Sequence, residues 1–138
     1  MIDSCNDGTQ NKIISVSENK RTFKINNKSL FIINSVTVDD CYITSGLKCD
    51  FLFEIIDEEL KEVFYVELKG SDISHAVQQL EATLKHCLSI HKTVPRSCFI
   101  VASRVPKALT STQKMKKEFK RKNSVMLSID TKIKEVIV

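Results

Sequence analysis

The stretch CDFLFEIIDEELKEVFYVELKG, residues 49 to 70, constrains the fold most. Two apolar segments, Phe51 to Ile56 and Val63 to Leu68, flank a short charged run, which is the pattern of a β-hairpin. Side chains alternate faces along a strand. Phe51, Phe53 and Ile55 therefore share one face with Phe64, Val66 and Leu68, while Asp50, Leu52, Glu54, Tyr65, Glu67 and Lys69 share the other. Matching the apolar faces predicts Phe53 opposite Val66, a turn near Asp57 to Glu62, Asp50 opposite Lys69 and Leu52 opposite Glu67. Asp50, Glu67 and Lys69 then converge at one end of the hairpin, within the roughly 5 to 8 Å of cross-strand and diagonal neighbours.

After Asp72 the hydrophobic period lengthens. Ile73, Val77, Leu80, Leu84 and Leu88 recur every three to four residues, which predicts an amphipathic helix running to His91, capped by Ser71 or Asp72. SCFIVAS reads as a buried strand, TSTQKMKKEFKRK as a second helix with Met115 and Phe119 on one side, and SVMLSID and KEVIV as closing strands. Upstream, RTFKINNKSLFII reads as strand, Asn-Asn turn, strand, and SLFIINSVTVDDCYI as one long strand or two. Residues 1 to 20 are weakly patterned and expected to form a loose arm or a short helix near Lys12 to Val16. Strand, helix, strand within residues 67 to 102 predicts a right-handed crossover beside antiparallel strands. The fold class expected is α/β, one domain with a mixed central β-sheet flanked by helices.

With 42% hydrophobic residues the chain can build a core, and no run approaches the roughly 18 to 20 apolar residues of a membrane span, so no membrane partner is expected. MIDSCNDGTQNK lacks the basic start and apolar run of a secretory signal. Five scattered cysteines, Cys5, Cys41, Cys49, Cys87 and Cys98, form no CxxC pair and are read as reduced thiols of a cytoplasmic protein. Charge is segregated. Residues 104 to 122 hold eight Lys and Arg against Glu118 alone, or +7 within a total of +4, so the rest of the chain carries about −3.

Two carboxylates at hairpin distance repel unless a positive charge joins them. A hard divalent ion does this while keeping several waters, and a metal-acidified water can attack a phosphodiester. Lys69 could hold that water or offset charge on the phosphate. CD, sixteen intervening residues, then ELK before GSDISHAVQQL resembles the PD-(D/E)xK nuclease superfamily. The resemblance covers about residues 45 to 103 and implies a restriction endonuclease-like fold. Asp50 matches the lone acid, Glu67 the second acid and Lys69 the lysine; the likeness further implies Mg²⁺ or Mn²⁺ held by Asp50, Glu67 and the carbonyl of Leu68. Cys49 stands where the signature names proline, and Glu18 is the single candidate for the glutamate that many members carry on an N-terminal helix.

At roughly 100° per residue Gln79 lies nearer the buried edge of the first helix than Gln78; the resemblance implies that a glutamine there holds a water or a phosphate oxygen beside the metal, and Gln79 is the one favoured. Glu54 and Tyr65 are read as solvent-facing partners or substrate rim rather than ligands, and His75, His86 and His91 as solvated. Gly70 is expected to allow a sharp strand-to-helix turn. Lys107, Lys114, Lys117, Lys120 and Arg121 are candidate phosphate contacts. The expected function is a metal-dependent nuclease, DNA favoured over RNA, structure-specific or nonspecific. A single site cuts one strand, so a duplex cutter calls for a symmetric dimer. The rivals are a catalytically silent nucleic-acid-binding module of the same fold and a protein-binding factor, such as a toxin-neutralising partner.

Overall fold

The computed structural model describes residues 1–69, 71–104 and 109–138, without the side chains of residues 109 and 110. The elements in chain order are β1 (Asn6–Thr9), β2 (Ile13–Glu18), β3 (Arg21–Asn26), β4 (Ile32–Thr37), β5 (Phe51–Asp57), β6 (Glu59–Lys69), α1 (Ile73–His86), α2 (Leu88–His91), β7 (Arg96–Ala102), α3 (Leu109–Asn123), β8 (Met126–Thr131) and β9 (Ile133–Ile137). Six strands form a mixed sheet in the order β1-β4-β5-β6-β7-β8, antiparallel through β6 and parallel from there on. A second sheet, β2-β3-β9, packs on one face of it. The three described helices occupy the other face.

The helix layer follows from connectivity. The crossovers β6-α1-β7 and β7-α3-β8 step in the same direction across the sheet, so right-handed connections put both long helices on one face. α1 starts where Asp72 accepts a hydrogen bond from the His75 amide at 3.0 Å. It buries Ile73, Ala76, Leu80, Thr83 and Leu84 against Leu52, Tyr65, Cys98 and Ile100. The helical stretch reaches His91 as expected but is interrupted at Cys87, which splits it into α1 and α2, and Leu88 is left exposed. On the opposite face Phe53, Ile55, Phe64, Val66, Phe99 and Val101 meet Ile14, Phe23 and Ile25 of the small sheet. Phe23 sits among Phe53, Phe64 and Phe99, with ring centroids 5.6, 6.3 and 4.9 Å away.

Several local expectations are corrected. Residues 1 to 20 form β1 and β2, not an arm or a helix. β3 and β4 are not a hairpin: β3 pairs with β2 and β9, while β4 pairs with β1 and β5. Asn27 makes that separation. Its buried side chain donates to the carbonyls of Asn11 and Phe31 and accepts from the Phe31 amide, turning the chain from one sheet to the other. The β5–β6 hairpin has the expected parity and a register two residues tighter, with Phe53 opposite Phe64. Its turn is Asp57–Glu58–Glu59, with Glu58 at φ 64° and a bulge between Ile55 and Ile56. Face matching cannot separate registers that differ by two, and the tight turn adds ladder pairs that a six-residue loop would lose.

Not all cysteines are free. Cys5 and Cys41 form a disulfide, brought together because the chain entering β1 lies beside the end of β4, where the Thr37 amide donates to the Cys5 carbonyl at 2.9 Å. The premise of five reduced thiols, on which a cytoplasmic setting was expected, therefore fails. Cys49, Cys87 and Cys98 are free and buried, and burial pushes each thiol up, away from reactivity. Among the described residues no helix is long and apolar enough to cross a membrane.

Candidate metal and phosphodiester site

The tighter register sharpens the site. It sets Asp50 directly opposite Glu67, with Lys69 two residues beyond, where the sequence reading paired Asp50 with Lys69 and Leu52 with Glu67. Asp50 precedes β5, and its amide still donates to the Val66 carbonyl at 3.2 Å. Its carboxylate accepts from the Leu68 amide at 2.8 Å. In an extended strand a residue's N–H and C=O point to the same side, so the Leu68 carbonyl also faces the Asp50 side. The Leu68 side chain goes the other way, into the core below.

The face carrying these groups is the helix-covered face, which explains their electrostatics. Glu67 is 2% exposed. Burial, then the charge of Asp50, push its carboxyl up to about 9, and Lys69 offsets part of this. Burial also raises Asp50; the Leu68 amide opposes the shift, and the charges of Glu18 and Asp39 add to it. Glu67 and Asp50 are close enough for one proton to serve both. Glu67 Oε1 is buried with no hydrogen-bond partner.

Gln79 is half-buried and Gln78 exposed. Gln79 Nε2 donates to the Lys48 carbonyl at 3.1 Å, two residues before Asp50, while its buried Oε1 has no partner. Thr83, one turn on, accepts from the Cys49 amide at 2.9 Å and completes the clamp of α1 on the Lys48–Asp50 segment. Glu18 is on a strand end, not on a helix, yet its charge reaches Asp50.

The chemistry of this donor set suits a hard cation. It offers two carboxyl groups that share a face, a strand-end carbonyl and, in Glu67 Oε1 and Gln79 Oε1, buried acceptor oxygens without donors, which is the inverse of a site awaiting an anion. Among the described residues no group of three or more His, Cys, Asp or Glu side chains is placed to hold a metal, so an ion here would keep much of its water.

Glu54 and Tyr65 are buried, not solvent-facing, and His91 is buried, not solvated. Tyr65 Oη bonds His91 Nδ1, and His91 Nε2 meets Glu54 Oε2 at 2.7 Å. Glu54 also accepts from Asn34 Nδ2 at 2.7 Å and from the Ile2 amide at 3.1 Å. Burial alone would raise Glu54, but the bonds from His91, Asn34 and Ile2 outweigh it and hold the carboxyl below its usual value. The sequence signal for this network is weak: two polar residues on a face read as wet, and a histidine that closes a helical stretch.

The basic residues are not gathered at the carboxylates. Lys114, Lys117, Lys120 and Arg121 are exposed on α3, and Arg121 meets Glu118 at 3.6 Å. α3 runs back from the end of β7 towards the start of β8, so Lys114 is nearer the site edge and Lys120 and Arg121 lie towards the opposite edge, over a helix of about 22 Å. Lys107 and Gly70 lie outside the described residues. A surface groove lined by Glu81, Lys85, Leu88, Arg96 and Lys122 sits at that opposite edge, away from Asp50 and Glu67. No family model matches the chain, and comparison with curated proteins and with solved structures likewise gave no match.

Proposed function

We propose that this chain is a metal-dependent nuclease of restriction endonuclease-like fold, a member of the PD-(D/E)xK superfamily, hydrolysing phosphodiester bonds with Mg²⁺ or Mn²⁺. The observation that carries the reading is the direct pairing of Asp50 with Glu67 and the buried, unpartnered Glu67 Oε1, with Lys69 two residues further along the strand. The site lies at the carboxyl ends of the parallel strands β6 and β7, where open α/β sheets accept ligands.

Asp50, Glu67 and the Leu68 carbonyl would hold the ion. When bound, it supplies Lewis acidity, making a water nucleophilic near neutral pH and drawing charge from the phosphate. The chain's residues do the rest. The Leu68 amide fixes the Asp50 carboxylate beside Glu67. Lys69 presents an ammonium beside Glu67, placed to offset charge that grows on the phosphate. Gln79, tethered through its Nε2, has a buried Oε1 without a donor, which would accept from a water held there. DNA is the favoured substrate, without sequence recognition, and cutting both strands of a duplex would take a homodimer.

The test is cleavage of single-stranded, duplex and branched DNA and RNA with Mg²⁺, with Mn²⁺ and with neither, beside Asp50→Ala. Metal-dependent cleavage by the parent, lost in Asp50→Ala, supports the proposal. No cleavage of any substrate would favour the catalytically silent binding module, a reading helped by the lack of a third acidic ligand among the described residues.

A further inference from the structure

Arg21 is a cation without an anion. It opens β3 and is 9% exposed. Among the described residues, which include every Asp and Glu of the chain, no carboxylate lies within 4.0 Å of it. Nη1 donates to Ser103 Oγ at 2.9 Å, and the buried Nε has no partner. A buried charge is expensive unless paired, and a guanidinium held by one neutral hydroxyl is far from paired.

Its position explains what it lacks. Arg21 and Glu18 face each other across the base of the β2–β3 turn, and Glu18 is close enough to act on Asp50. Ser103 follows Ala102, the β7 residue in register with Lys69 of β6. The Thr22 amide donates to the Lys132 carbonyl at 2.8 Å, and the Lys132 amide to that of Ala102 at 2.8 Å, so the start of β3 is pinned over the ends of β7 and β8. Arg21 therefore stands at the same sheet edge as Glu67 and Lys69, one strand over. Two orphaned acceptors on the helix-covered face and one orphaned cationic donor under the small sheet reach the same end of β6 and β7 from opposite faces, one suited to a cation and the other to an anion.

We infer that Arg21 binds a non-bridging oxygen of the backbone phosphate next to the scissile one, using the planar donor fork that suits phosphate better than a lysine does. The inference rests on the nuclease reading for the nature of the strand, but the anion site itself does not need catalysis.

The experiment compares the parent with Arg21→Met, which keeps the apolar stem, and Arg21→Lys, which keeps the charge. Binding of a short fluorescent single-stranded DNA is titrated in EDTA across a salt series, and urea unfolding is followed without DNA. Arg21→Met should bind about tenfold or more weakly, with the slope of log affinity against log salt reduced by about 0.7. It should unfold at the parental urea concentration or above, because an uncompensated charge has gone. Arg21→Lys should also bind more weakly while retaining the parental slope. Parental affinity and slope in Arg21→Met would overturn the inference, as would a Met variant less stable than the parent, an Arg21→Lys of parental affinity, or a parent that binds no DNA. Cleavage in Mn²⁺ is measured alongside. Weakened binding by Arg21→Met with no cleavage by the parent keeps the anion site and sinks the nuclease; parental cleavage with unchanged binding by Arg21→Met does the reverse.

Discussion

At the scale of single residues, the site is a case of position outweighing ordinary acidity. Glu67 is a surface-type residue held almost fully buried beside a second carboxylate. In the folded, metal-free protein it keeps its proton to about pH 9, while in the unfolded chain it releases it near 4.5. Between those values the folded state binds more protons, so stability must fall as pH rises. Glu67→Gln removes that dependence. In EDTA the variant should be more stable than the parent at pH 8, by on the order of 1–3 kcal/mol, with a flatter pH profile, and it should no longer bind Mn²⁺ in calorimetry. Parallel profiles for the two proteins would refute this account of the pair. Lys69→Ala isolates the other charge. It leaves the ligands in place, so Mn²⁺ should bind as well or better, while single-turnover cleavage falls about 100- to 1,000-fold. A parental rate in that variant would remove Lys69 from the chemistry.

At the scale of elements, α2 and α3 behave in opposite ways. The short α2 is anchored by chemistry: His91 at its end bridges Tyr65 and Glu54, and Glu54 also holds Asn34 and the Ile2 amide. Four segments distant in sequence meet at one carboxylate. His91→Ala leaves that carboxylate and a phenol short of partners and should cost about 3–5 kcal/mol in urea unfolding; Tyr65→Phe, which deletes one hydroxyl, should cost about 1 kcal/mol. Equal effects would mean that the Glu54–His91 bond is not the dominant part. α3 is anchored by Phe119 and leaves its cations in solvent. Because the helix runs away from the site edge, Lys114→Gln should reduce the affinity for single-stranded DNA and its salt slope more than Lys120→Gln does. Indistinguishable binding by both variants would show that α3 is a solvated face.

At the scale of the whole molecule, the three layers divide the work. The helix layer covers the face of the large sheet that carries Glu54 and Glu67 among apolar side chains, and so desolvates both. The small sheet closes the apolar face and carries the β2–β3 turn, with Glu18 and Arg21, to the site edge. Phe23 is the contact that couples the two sheets, so Phe23→Ala should cost about 3–5 kcal/mol by denaturant unfolding; a loss below about 1 kcal/mol would show that the small sheet docks without it. By itself the sequence determined what depends on neighbours along the chain. Alternation set the parity of β5 and β6, the longer period placed α1, and the βαβ order set the crossover; those local patterns were enough to bring Asp50, Glu67 and Lys69 to one end of one hairpin. Tertiary structure alone decided the rest. A register shift of two leaves every side chain on its own face, so only the turn and the full ladder could choose it. An alternating strand reads as half wet, so nothing local could show that both faces would be covered, which turned Glu54, Tyr65 and His91 from surface groups into a buried network. The Cys5–Cys41 bond, the split of β3 from β4 and the arrival of Arg21 above the end of β7 all depend on contacts between segments far apart in the chain. Such contacts form only when the gain from burying apolar area exceeds the entropy of closing the intervening loops, and no short window of sequence contains both sides of that balance.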